Sequence, residues 1–186
     1  MNIIASDIPD VLMIEPRVFE DERGYFFESY RENSYSSSAI GAGFKQDNVS
    51  FSKRDVLRGL HIQQPRAQGK LIQVLFGEIF DVAVDVRWGS PWFGNHVSVE
   101  LTQGNKLQFY IPPGFAHGFC VTSDSAIIQY KCTEYYAPTD ELTLLWDDPD
   151  MGILWPITAP LLSKKDLGGL RLRDVDRSSL PVFVPK

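Results

Sequence analysis

Between Val56 and Lys70 the chain reads VLRGLHIQQPRAQGK, which brings Arg58, His61 and Lys70 close together among apolar residues and glycines. A neutral imidazole flanked by two cations makes poor core packing. It suits a place where an anion, or an oxyanion forming during reaction, is held beside a base. A lone histidine in a strand is more commonly a hydrogen-bonded structural residue, so the flanking cations carry the functional reading. Three further stretches could take part. Pro112-Pro113-Gly114-Phe115-Ala116-His117 ends a turn on a second histidine, which a cap on ordinary hairpin chemistry would also explain. Asp166, in Leu162-Ser163-Lys164-Lys165-Asp166, reads alone as a surface acid. A base histidine nevertheless needs a group to fix its tautomer, commonly a carboxylate on the far ring nitrogen. Tyr130 shares a strand face with Ile128 and Ala126 and reads as a half-buried core tyrosine. Tyr135-Tyr136 are packing aromatics or a stacking platform for a flat ring.

The elements that must position these groups are short strands. Leu57 to Gln63 alternates, with Leu57 and His61 expected on one face and Leu60 and Ile62 on the other. On that pattern Arg58 and His61, three apart, point opposite ways unless Gly59 marks a bulge or Arg58 precedes the strand. Apolar runs at Val11–Ile14, Tyr25–Tyr30, Phe44–Phe51, Leu71–Phe76, Ile79–Val86, Val97–Leu101, Leu107–Ile111, Phe119–Thr122, Ala126–Tyr130 and Leu142–Trp146 predict further strands. In Ile79–Val86 the residues Phe80, Val82, Val84 and Val86 fall on one face. Turn residues separate the runs, as in Trp88-Gly89-Ser90-Pro91. Arg31 to Ile40 is Ser-rich and predicts a short helix ended by Gly41 and Gly43. After Asp147 the pattern predicts irregular chain with one helical turn near Ser163–Leu167. Many short strands at this spacing indicate an all-β sandwich or barrel in a single domain spanning 1–186.

Composition sets the outer bounds. The 186 residues, 44% hydrophobic and 12% aromatic, suffice for one globular core. A net charge of −6 gives nucleic acid no electrostatic attraction, though a local basic pocket for a small anion is compatible with it. Cys120 and Cys132 make no disulfide framework and read as buried thiols in a reducing compartment. The first residues lack the basic start of a signal peptide, and no run approaches the ~20 apolar residues of a membrane span. The expectation is a soluble cytoplasmic protein with no membrane and no nucleic-acid partner.

Pro112 to His117 also resembles the second motif of the cupin barrels, P-x-G-x-x-H. In metal-binding cupins that histidine is a ligand, but their first motif needs His-x-His plus Glu. Here the matching position reads His61-Ile62-Gln63, and the three histidines are spread over positions 61, 96 and 117. No metal site is expected.

Taken in order, DERGYFFES, QDNVSFSKRDVLRGLHIQ, QGKLIQVLFGEIFDVAVDVR, IPPGFAHGF, YKCTEYYAP and LSKKD closely resemble the dTDP-4-dehydrorhamnose 3,5-epimerases, from about Val11 to Asp166. The resemblance implies a cupin-like β jelly roll, a homodimer and no cofactor. It implies inversion of C3 and C5 of dTDP-4-dehydro-6-deoxy-D-glucose to give dTDP-4-dehydro-L-rhamnose, a step of dTDP-L-rhamnose biosynthesis. It implies His61 as base with Asp166 as its partner carboxylate, Tyr130 as the opposing acid, and Lys70 beside the sugar keto oxygen. Nucleotide contacts implied in the same way are Arg23, Glu28, Gln46, Asp47, Asn48, Arg58 and His117, with Glu141, Lys165 and an aromatic stack at Tyr135. His96 stands where the family commonly has an aromatic and receives no role. The chemistry agrees: a histidine of reference pKa ~6.5 removes a proton beside a ketone only if the enolate is stabilised, and an ammonium does this.

Rival readings are a dTDP-ketosugar mono-epimerase or 3,4-ketoisomerase, a cupin that only binds nucleotide sugars, and a metal-dependent cupin oxygenase.

Overall fold

The computed structural model describes residues 1–38, 40–41 and 43–185. Its strands run in chain order as β1 (Asn2–Ala5), β2 (Leu12–Glu15), β3 (Val18–Asp21), β4 (Gly24–Phe27), β5 (Gln46–Lys53), β6 (Leu57–Gln63), β7 (Lys70–Phe76), β8 (Glu78–Asp85), β9 (His96–Thr102), β10 (Gln108–Ile111), β11 (Phe115–Val121), β12 (Ser125–Cys132) and β13 (Glu141–Thr143). A six-stranded sheet in the order β1-β2-β10-β7-β12-β5 faces a five-stranded sheet in the order β13-β6-β11-β8-β9. β3 and β4 form a separate hairpin. This is a β jelly roll of the cupin-like kind.

The strand alternation explains the layers. On β8, Ile79 and Ala83 join Ile72, Leu101, Phe109 and Ile128 in the core between the sheets. The opposite face carries Phe80, Val82, Val84 and Val86, as expected, and is apolar too. It is covered by the chain after Asp147, whose Met151, Leu172, Val175 and Leu180 pack onto it. That segment is irregular apart from 3-10 turns and the single turn α2 (Lys164–Leu167), which sits where the sequence placed a helical turn. A smaller cluster of Leu12, Ile14, Tyr35, Leu71 and Tyr110 seats α1 (Glu32–Ser36) on the six-stranded sheet. The helix is shorter than the 31–40 expected, because Ser37 and Ser38 turn their hydroxyls back onto the carbonyls of Asn33 and Tyr35. Ala39 lies outside the described residues.

Other differences are local. β1 and β3 were not expected; both are short, and β3 ends in the exposed acids Glu20 and Asp21. The strand expected over Tyr25–Tyr30 stops at Phe27, and the one expected over Leu142–Trp146 is β13, displaced toward Glu141. β11 begins at Phe115, directly after the Pro-Pro-Gly turn, so His117 lies within a strand rather than capping one.

The register of β6 corrects the expectation that Leu57 and His61 share a face. His117 pairs with His61 and Phe119 pairs with Arg58, so β6 uses one residue more than β11 over the same span. The extra residue lies at Gly59-Leu60 and inverts the alternation. Arg58 and His61 therefore face the same way, into the space between the sheets, and Leu57 faces the other. Gly59 has φ +128, and a Cβ there would lie 2.5 Å from the Gly118 Cα. Only glycine fits a backbone crossing this close.

Candidate active site

Asp166 positions His61. The carboxylate is 2% exposed, and its Oδ1 accepts a 2.6 Å hydrogen bond from His61 Nε2. Ser163 caps α2: its Oγ accepts from the Asp166 backbone N–H at 3.1 Å and donates to Asp166 Oδ2 at 2.7 Å. The one-turn helix thus aims the carboxylate at the ring. Burial pushes the Asp166 pKa up, but the hydrogen bonds from His61 and Ser163 outweigh it and leave the pKa below the ordinary value. An ionised Asp166 on Nε2 fixes the tautomer, so the lone pair is on Nδ1. Among the described residues Nδ1 has no hydrogen-bond partner; the nearest acid is Glu141, whose Oε1 lies 3.8 Å away.

The facing wall comes from the six-stranded sheet. Lys70 pairs with Cys132, and Cys132 with Gln46, so these three form one row across β7, β12 and β5. Ile72, Tyr130 and Asn48 form the next row. Residues paired across strands share a face, and both rows look toward β6 and β11. Gln46 and Asn48 are tied together, Nε2 donating to Oδ1 at 2.9 Å. The Lys70 ammonium and the Tyr130 hydroxyl have no partner among the described residues. Burial lowers the Lys70 pKa and raises that of Tyr130. Tyr130 is therefore a neutral proton donor at neutral pH.

These groups line one cavity of about 300 Å³. His117 sits beside His61, its Nε2 2.9 Å from Oδ1 of the fully buried Asp81. Burial lowers the His117 pKa and raises that of Asp81. Arg58 stands toward the rim with its Nε donating to Ser52 Oγ at 3.1 Å. Ser50 Oγ is buried in the wall with no hydrogen-bond partner among the described residues, an arrangement that costs about 1–3 kcal/mol. A cavity that points an unpartnered imidazole nitrogen, ammonium, phenol and serine hydroxyl inward is built for a polar ligand.

Of the residues singled out from the sequence, His61, Lys70, Tyr130, Arg58, Gln46, Asn48, His117, Glu141 and Lys165 line this cavity, and Asp166 stands behind His61. Four others lie elsewhere in the single chain. Arg23 is at the tip of the β3–β4 hairpin, its side chain 85% exposed and bonded to Asp21. Glu28 pairs with Arg31. Asp47 is on the outer face of β5, bonded to Lys131 at 2.8 Å. Tyr135 is exposed beneath the Lys45 ammonium. His96 lies on β9 with Nδ1 3.1 Å from the Met151 carbonyl oxygen.

Sequence reading missed Ser50, Gln68, Phe119 and Cys132, all of which line the cavity, and gave Tyr136, which lines it too, only as one of a tyrosine pair. A period of two from Gln46 and Asn48 would have found Ser50. Of the tyrosine pair, Tyr136 is the one turned inward: its hydroxyl donates to Glu141 Oε2 at 2.8 Å. Among the described residues no three His, Cys, Asp or Glu side chains are grouped as metal ligands.

A family model described as dTDP-4-dehydrorhamnose 3,5-epimerase matches residues 5–174. A dTDP-4-dehydrorhamnose 3,5-epimerase of Shigella flexneri is 51% identical over 179 residues, 95% of this chain and 98% of its own length. Its counterpart from Neisseria gonorrhoeae is 49% identical over 97% of this chain, which spans 55% of that longer relative. The crystal structure of a dTDP-6-deoxy-D-glucose-3,5-epimerase from Legionella pneumophila Philadelphia 1, in complex with dTDP-4-keto-L-rhamnose, superposes with a TM-score of 0.96. The two are 47% identical over 99% of each chain. A match that spans nearly the whole fold, cavity walls included, shows that the chain belongs to the dTDP-4-dehydrorhamnose 3,5-epimerase family of isomerases.

Proposed function

We propose that this chain inverts C3 and C5 of dTDP-4-dehydro-6-deoxy-D-glucose, yielding dTDP-4-dehydro-L-rhamnose for dTDP-L-rhamnose synthesis. The observation that carries the reading is one cavity with a carboxylate-held histidine on one sheet, a tyrosine on the other, and an unpartnered ammonium between the same walls. The C4 ketone acidifies the protons at C3 and C5. His61 Nδ1 removes one, the Lys70 ammonium stabilises the resulting enolate oxygen, and Tyr130 returns a proton to the opposite ring face. This side-chain set accomplishes the chemistry without a metal or organic cofactor.

Arg58, Gln46, Asn48, His117, Lys165 and Glu141 bind the nucleotide and its diphosphate around the cavity. Arg58 gives charge-assisted hydrogen bonds to phosphate oxygens. Arg23 and Glu28 take part from a second copy of the chain. β5 is an edge strand of its sheet, with Val49 and Phe51 exposed on its outer face. The hairpin that carries Arg23 exposes Phe19, Tyr25 and Phe26 as well. Such aromatic surface is the kind a homodimer buries. No helix among the described residues is long and apolar enough to cross a membrane, and we place the enzyme in the cytoplasm.

The test is the product. Incubated with the dTDP-ketosugar in D₂O, the enzyme is expected to place deuterium at C3 and C5 and to give the doubly inverted sugar by NMR. Inversion at a single carbon would make it a mono-epimerase. No proton exchange at all would leave a nucleotide-sugar-binding module.

A further inference from the structure

We propose that Glu141 is the proton outlet that resets His61 between the two inversions. The inference rests on the His61–Tyr130 reading above and concerns a step that reading leaves open. In each inversion a C–H bond breaks and its proton goes to His61 Nδ1. The Tyr130 O–H bond breaks and its proton forms the new C–H bond on the other face. The enzyme is then left with an imidazolium and a phenolate. A second inversion of the same bound sugar cannot begin until Nδ1 has given up its proton and Tyr130 has regained one.

The structure restricts where that proton leaves. Nε2 is committed to Asp166, which is enclosed. Exit is therefore from Nδ1, on the cavity side. Lys70, Lys165 and Arg58 are cations and accept nothing. His117 is adjacent on β11, but burial and the Lys70 charge depress its basicity. Cys132 is held protonated by burial, and the Tyr130 phenolate stands across the bound sugar, on the ring face opposite the base. Glu141 remains. Its Oε1 lies 3.8 Å from Nδ1, and the ladder between β13 and β6, which pairs Thr143 with His61 and Glu141 with Gln63, holds it there.

At 3.8 Å the pair is longer than a hydrogen bond, so at rest Glu141 does not occupy the lone pair the reaction needs. Once Nδ1 is protonated the two carry opposite charge and attract. The other Glu141 oxygen accepts from Tyr136 Oη at 2.8 Å and from Lys165 Nζ at 2.9 Å. Both partners reach the surface: Tyr136 is 49% exposed and the Lys165 side chain 47%. Burial raises the Glu141 pKa, but the bonds from Lys165 and Tyr136 outweigh it and the net pKa is lowered. Such a carboxylate passes a proton on instead of storing it. The step balances: Nδ1–H breaks as Oε1–H forms, Oε1–H gives its proton to water at the cavity mouth, and the Tyr130 phenolate takes one from water.

The experiment follows singly and doubly inverted sugar over time by NMR, with full-length wild type, Glu141→Gln and Glu141→Asp. For Glu141→Gln the rate of the second inversion relative to the first is expected to fall about 10²-fold, the scale of a lost acid–base group. Singly inverted sugar should then be released, and added formate should restore the ratio. Glu141→Asp, which keeps the carboxylate, should fall between the two and gives the answer if the glutamine variant does not fold. A carboxylate that only binds or shapes the pocket would slow both inversions by one factor and be indifferent to formate. That result, or an unchanged ratio, overturns the proposal. Failure of the underlying reading shows separately, as C3 and C5 proton exchange that survives in His61→Ala.

Discussion

At His61 the two ring nitrogens have different neighbours, and the proposed role as base needs that difference. Nε2 is locked to a buried carboxylate, while Nδ1 has no hydrogen-bond partner among the described residues and faces the cavity. Removing the base should stop everything: His61→Ala is expected neither to invert the sugar nor to exchange its C3 and C5 protons with D₂O. Removing only the acid should separate exchange from inversion. Tyr130→Phe keeps the ring but loses the hydroxyl, so His61 can return a solvent proton to the original face. Deuterium incorporation should then outrun inversion, measured as their ratio by mass spectrometry and NMR; inversion of both carbons at the wild-type rate would make Tyr130 a packing residue. Lys70 carries the opposite trade. Its ammonium is partly buried without a partner among the described residues, so Lys70→Met should be inactive yet more stable by about 1–3 kcal/mol in denaturant titrations. The pH dependence has a definite sign. Burial sets the folded pKa of Lys70 below its unfolded value of ~10.4. Between the two values the unfolded chain binds the proton more tightly, so wild-type stability rises with pH there. The advantage of the methionine variant should be complete below the folded pKa and shrink as pH climbs toward ~10.4. A gap that is constant or widens would contradict the burial argument.

Among the elements, β6 turns an arginine and a histidine three residues apart onto one wall. It does so with the extra residue at Gly59-Leu60, across which the β11 register shifts. Gly59→Ala would bring a methyl group to 2.5 Å from the Gly118 backbone at a φ of +128. The backbone must give way, at a cost of about 1–3 kcal/mol by denaturant melt. Because the bulge sets the parity of the strand, kcat/KM should also drop, through misplacement of Arg58 or His61. A Gly59→Ala enzyme with wild-type kinetics would show that the bulge is incidental. α2 acts likewise on a smaller scale, since one capped turn suffices to hold Asp166 against a strand 105 positions earlier in the chain.

On the scale of the whole molecule, the cavity of one chain lacks Arg23 and Glu28, and the hairpin and the β5 edge expose aromatic surface. If a second copy supplies those residues, two inactive enzymes should rescue one another. Arg23→Ala mixed with His61→Ala under conditions that exchange subunits should recover part of the activity, because one site of each mixed dimer has both native residues. Absence of rescue, with subunit exchange verified by native mass spectrometry, would assign Arg23 to its own chain or to no site.

By itself the sequence determined the strand-rich fold, because alternation along β7, β8 and β12 is a local property of side-chain polarity. It also singled out His61, Tyr130 and Lys70, through motifs whose residue types match the proposed chemistry, and the fold brings all three to one cavity. It did not determine which way Arg58 faces, because a bulge is settled by the neighbouring strand's register and by the Gly118 backbone opposite. Nor could spacing choose between Tyr135 and Tyr136, or put Asp47 outside without knowing which face of β5 the other sheet covers. The contact between His61 and Asp166, and the approach of Glu141 to the free ring nitrogen, come from the C-terminal chain folding back over the five-stranded sheet and from β13 pairing on its edge. Those are meetings of segments far apart in sequence, and only tertiary packing decides them.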